Sequence, residues 1–129
     1  MIEAARRALA GLRVPVFDSV VADEDLQNTY VLLLAPNSGR GGQEALSGGP
    51  SQVPLTVRAV GVTPAQVRVL LMSTREALRG LHVVSGVSRW AFHWDGSPRD
   101  IQVDRQIKNK LGTFPVFLDD EYTVFMEET

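Results

Sequence analysis

Apolar and polar residues alternate at period two through most of this chain, and the pattern switches to the helical period in one long stretch and one short one. In Val53-Pro54-Leu55-Thr56-Val57-Arg58-Ala59-Val60, the side chains of Val53, Leu55, Val57 and Ala59 share one face, as in a half-buried strand. Gly61 breaks the run. The helix that follows opens with a capping box. Thr63 is placed to accept from the third helical amide, Pro64 suits the first helical position, and Gln66 is placed to reach back to the Thr63 amide. Gly80 ends it, so the pattern predicts a helix over 64–79, about 24 Å long at 1.5 Å per residue. Val67, Leu70, Leu71, Thr74 and Leu78 form its core stripe.

The remaining elements are shorter. Ile2, Ala5, Leu9 and Leu12 give a short amphipathic helix that Gly11 is placed to end. Residues 14–21 read as a strand, set at an edge or near a strand start by Pro15, and 22–25 as a turn. The near-continuous apolar run 29–35 predicts a central strand covered on both faces. After Gly80, strands are predicted at 81–84 and 87–94, the second with Trp90, Phe92 and Trp94 packed together under the helix. Residues 101–107 alternate as a strand, 108–112 form a basic loop, and 113–118 and 121–127 read as strands joined by an Asp119-Asp120 turn. Five or more strand signals around two helical ones predict a single α+β domain over 1–129. Its sheet is mixed or mostly antiparallel, with one long helix packed across it and a short N-terminal helix.

Two features exceed what such a core needs. Ala65, Val69 and Met72, spaced i, i+4 and i+7, project nearly opposite the core stripe, with Arg68, Arg75 and Arg79 along their edge. This arrangement points to a subunit interface with an apolar seam and an arginine rim. Residues 36–52 hold five of the eleven glycines, and only Ala45 and Leu46 are apolar enough to bury. They form a glycine-rich loop or arm expected to order against a neighbouring copy through Arg40 and Leu46.

Composition narrows the function. With 44% hydrophobic and 22% charged residues and a net charge of -2, the chain is an ordinary globular domain without the basic excess of a nucleic-acid binder. It has no cysteine, which excludes disulfides, thiolate chemistry and zinc–cysteine sites. No signal peptide is visible, and the longest apolar run, Tyr30 to Ala35, falls far short of a membrane span. The glycine-rich segment lacks the Gly-Lys-Ser/Thr of a phosphate loop, and His82 and His93 stand in strands without metal or triad spacing. The carboxylate pairs Asp100/Asp104 and Asp119/Asp120 fall at turns and surface strands, where hydration is expected. No catalytic, cofactor or metal site is expected.

With the elements in order, the chain resembles the tail terminator (tail completion) proteins of long-tailed bacteriophages over most of its length. The resemblance rests on the N-terminal helix followed by VPVFDS, on TYVLLLAPNSG leading through the glycine-rich stretch with ALSG, on LTVRAVGVTPAQVRVLLMSTREALRG, and on the closing PVFLDDEYTVFME. It implies a virion structural protein of the tail or neck, assembled in the host cytoplasm. Such a protein forms a homo-hexameric ring on the head-proximal end of the tail tube, halts tube polymerisation and provides the joint to the head connector. The implied partners are further copies of the chain, the tail tube protein and the head-tail connector or head completion protein. No membrane, sequence-specific nucleic acid, cofactor or catalysed reaction is implied. The alternatives are another neck, head-closure or minor tail protein, or a small soluble ligand-binding α+β domain, for which the surroundings of His93, Trp90 and Trp94 are the place to look for a pocket.

Overall fold

Two long strands form the centre of the fold. In the computed structural model, which describes residues 1–19, 28–35, 51–84, 88–108 and 111–128, β3 (Ser51–Gly61) and β7 (Val116–Glu128) pair antiparallel from Ser51↔Met126 to Gly61↔Val116. Around them lie β1 (Val16–Asp18), β2 (Tyr30–Leu34), β4 (Leu81–Val84), β5 (Ser88–Gly96) and β6 (Gln102–Val103). The sheet order is β1-β2-β3-β7-β5-β4. The short β6 pairs Val116 and Phe117 of β7, beyond the Gly96↔Glu121 pair where β5 ends. Only β1 and β2 are parallel, so the sheet is mixed. The helices are α1 (Ile2–Ala8) and α2 (Pro64–Leu78). This is the α+β architecture expected from the pattern.

Register decides which face is buried. The pairs Leu55↔Tyr122, Val57↔Asp120 and Ala59↔Leu118 send these side chains to one side of the sheet, joined by Val31 and Leu33 of β2 and Phe92 of β5. Across that face lies α2, whose buried residues are Val67, Leu70, Leu71, Thr74 and Leu78, the same five predicted from periodicity. From α1, the small residues Ala4 and Ala5, followed by Leu9, complete the core. Pro54 is tolerated inside β3 because β2 does not reach it: the last β2 pair is Leu34↔Thr56. At Gly61 the chain turns into α2 in close quarters: a Cβ there would sit 3.1 Å from Gln66 Oε1 and 3.2 Å from Val67 Cγ1, so those side chains would have to give by a few tenths of an ångström.

Several expectations need correcting. Asp119-Asp120 is not a turn; β7 runs straight through it, because each carboxylate meets an arginine on its own side of the sheet. β2 is not covered equally on both faces: Val31 and Leu33 are buried while Tyr30, Leu32 and Leu34 are half-buried. The 101–107 strand shrinks to Gln102–Val103, and β1 to Val16–Asp18. Trp94 does not join Phe92 in the core but is 45% exposed. Of the predicted arm, 36–50 with Arg40 and Leu46 lie outside the described residues, while Ser51 and Gln52 open β3.

Candidate interaction surface

α2 is held firmly at its start. Thr63 Oγ1 accepts from the Gln66 amide at 3.3 Å, and Gln66 Oε1 accepts from the Val62 amide at 2.8 Å, one residue earlier than the expected Thr63 amide. At the other end Gly80 takes φ +94°, a conformation glycine adopts without strain. A helix pinned at both ends and buried along one stripe presents its other side in a fixed direction.

That outer side is apolar. Val69 is 62% exposed and Met72 64%, with Ala65 exposed one turn before them. Val69 and Ala65 form one wall of an apolar groove whose opposite wall is Leu12 and Val14, with Arg13 at its edge. A second depression, lined by Val69, Met72 and Ala77 with Ser73 and Glu76, continues it along the helix. Arg68 is exposed beside this seam, and no described carboxylate pairs with it. Arg79 is exposed and only loosely paired with Glu76, at 3.5 Å. Of the predicted interface residues, Ala65, Arg68, Val69, Met72 and Arg79 therefore lie on one exposed surface.

Arg75 does not belong to the rim. Its guanidinium turns toward the sheet and makes a bidentate pair with Asp120, Nε–Oδ2 2.6 Å and Nη2–Oδ1 2.8 Å, while stacking 4.4 Å above the Trp94 ring. Ser97 Oγ donates to Asp120 Oδ1 as well, tying the connection after β5 to the cluster. The Asp120 carboxylate is fully buried, whereas the Arg75 side chain stays 30% exposed. Hydrogen bonding to Asp120 holds the Arg75 guanidinium above its ordinary pKa, against the opposing effect of burial. Next to it the Tyr122 hydroxyl is buried against Thr74 without a partner of hydrogen-bond geometry, and the Thr74 hydroxyl donates to the Leu71 carbonyl. Burial first, and the Asp120 charge second, push the Tyr122 phenol well up.

The opposite face of the sheet carries neither described helix. Arg58 pairs bidentately with Asp119, at 2.8 and 3.0 Å, and lies 4.4 Å over the Phe117 ring. Glu121 accepts from the Thr56 hydroxyl at 2.8 Å, and Asp95 from the Thr123 hydroxyl at 2.6 Å. His93 stands exposed 3.6 Å from Asp95. Half-buried Leu32, Leu34, Phe17 and Phe125 flank this polar centre. Among the described residues no cluster of three His, Cys, Asp or Glu side chains is arranged to hold a metal ion, and no helix is long and apolar enough to cross a membrane.

Sequence reasoning missed the Arg75–Asp120–Ser97–Trp94 cluster. Its one visible signal was an arginine directly after Thr74 of the core stripe and four residues after Leu71, on a helix facing a strand with adjacent aspartates. It also missed the exposed apolar residues Val103, Leu111 and Phe114 on the excursion between β5 and β7. No protein-family model matches this chain, and no curated protein matches it.

Proposed function

We propose that this protein is a tail terminator of a long-tailed phage, a structural subunit that closes into a ring on the head-proximal end of the tail tube and stops its growth. The observation that carries this reading is the exposed Ala65–Val69–Met72 seam on a helix whose other side is committed to the core. Side chains of that size at more than half exposure, continuous with an apolar groove, favour a surface that is covered in an assembly. The resemblance of the chain's segments to tail terminators, over most of its length, supports this choice of assembly.

The mechanism is geometric and needs no chemical step. A head-to-tail contact between copies closes into a ring when the rotation per subunit completes a full turn, so subunit number follows from the interface angle. Such a ring seats on the tube end with one surface and presents the other to the head connector. Growth ends because the outward surface lacks the tube subunit's complementary patch. The test is binding stoichiometry on purified tail tubes of different lengths. A terminator saturates at a fixed number of copies per tube regardless of length. Binding that scales with tube length, or no binding, would overturn the proposal.

A further inference from the structure

A ring built from head-to-tail contacts needs two different patches on each subunit, and the outer face of α2 supplies one. The described surface offers two candidates for the other. The excursion between β5 and β7 exposes Val103, Leu111 and Phe114, but its described charges, Arg99, Arg105 and Lys108 against Asp100 and Asp104, are net basic, with Lys108 5.8 Å from the Phe114 ring centre. Arginines 13, 68 and 79 border the α2 seam, so this pairing would set like charges against each other. The sheet face that carries neither described helix bears Asp95, Asp119 and Glu121 against Arg58 and the exposed Arg89, a net acidic balance among its described charges. There Glu121 and Asp95 are engaged by threonine hydroxyls, with no described arginine or lysine paired to either, while Arg58 is already used by Asp119. Leu32, Leu34 and Phe125 give that face apolar ground for Val69 and Met72.

Dimensions agree with charge. Six strands at about 4.8 Å spacing give a sheet roughly 24 Å wide, and the 15 residues of α2 are about 22 Å long. We infer that the sheet face that carries neither described helix in one copy receives the outer face of α2 from a second copy of this chain, so that each subunit lays a net basic helical layer on its neighbour's net acidic strand layer. The inference rests on the ring proposed above and specifies its contact. It makes the interface heterologous, as a closed ring of more than two copies requires.

The absence of cysteine makes a direct test clean. Met72→Cys and His93→Cys place single thiols on the two faces, at side chains that are both more than 60% exposed. Under assembling conditions, a bismaleimide is expected to link the double variant into a covalent ladder extending past the dimer, while each single variant remains uncrosslinked. A covalent dimer from Met72→Cys alone would mean that α2 meets α2 across a two-fold axis, and would overturn the inference. Charge exchange supplies a second measurement independent of thiol reach. Arg68→Glu and His93→Lys are each expected to raise the ring-forming concentration about tenfold, and the double variant to recover it. A double variant no better than the worse single one, or no ladder from a protein whose wild type still forms rings, would place the mating patch elsewhere and leave the ring standing. Wild-type protein that forms no rings would remove the ring reading itself.

Discussion

At the scale of residues, the fold depends on how it treats one buried carboxylate. Asp120 is fully enclosed and bound by Arg75 and Ser97, whereas the Arg75 side chain keeps partial access to water. Removing one partner of a buried pair is costly when the survivor is stranded without water. The two deletions should therefore differ. Arg75→Ala leaves a buried anion with a single hydroxyl donor and is expected to destabilise by about 3–5 kcal/mol. Asp120→Asn keeps acceptors for Ser97 and releases an arginine that can reach solvent, so it should cost about 1–2 kcal/mol. Urea unfolding of both variants checks the order, and an equal or reversed cost would contradict it. Tyr122 gives a pH-dependent counterpart. Its phenol is held above the ordinary value of about 10 in the fold but titrates normally once unfolded. Between those two values the unfolded chain loses a proton that the folded one keeps. Stability should then fall as pH rises past about 10, by up to about 1.4 kcal/mol per pH unit from this group. In Tyr122→Phe that part of the decline should vanish, with little change at neutral pH because the hydroxyl lacks a partner. Parallel alkaline melting curves for the two proteins would refute the assignment.

At the scale of elements, α2 and β3 were legible because every local signal agreed. Alternation defined the strand, Gly61 ended it, Thr63 and Gln66 capped the helix, and five core positions fell at the helical period. The two-aspartate stretch was misread because adjacent carboxylates ordinarily mark a turn. Here they alternate faces of one strand, and Arg58 directly opposite Asp119 and Arg75 above Asp120 compensate both charges. Those partners lie 61 and 45 residues away in sequence, beyond any local window. The same long-range pairing moved Arg75 from the expected rim to the core side of α2, and it holds Trp94 half-exposed beneath the guanidinium. The apolar seam itself was readable from spacing alone, since Val69 and Met72 are the residues that have no core to reach. Replacing both by Glu should leave the unfolding midpoint of the isolated subunit nearly unchanged and abolish assembly. Surface substitutions of this kind ordinarily shift stability by no more than about 0.5 kcal/mol. A loss of several kcal/mol in the monomer would show that this side of α2 is part of the core.

At the scale of the whole molecule, a helical layer covers one face of the sheet and leaves arginines outward, while the other face exposes carboxylates between apolar flanks. Among the described residues the outer seam of α2 is exposed and the second sheet face carries no helix. In the proposed ring, stacking in one rotational sense would cover both at once and use no residue twice. Partly polar contacts of this type assemble with concentration and with a template, so ring formation should be strongest where a tube end holds several subunits together. The most direct measurement is therefore electron microscopy of tail tubes polymerising in the presence and absence of the protein. A ring at one end of each tube, with elongation halted at the capped end, is the predicted result. Tubes of unchanged length whose two ends are indistinguishable and bare would contradict it.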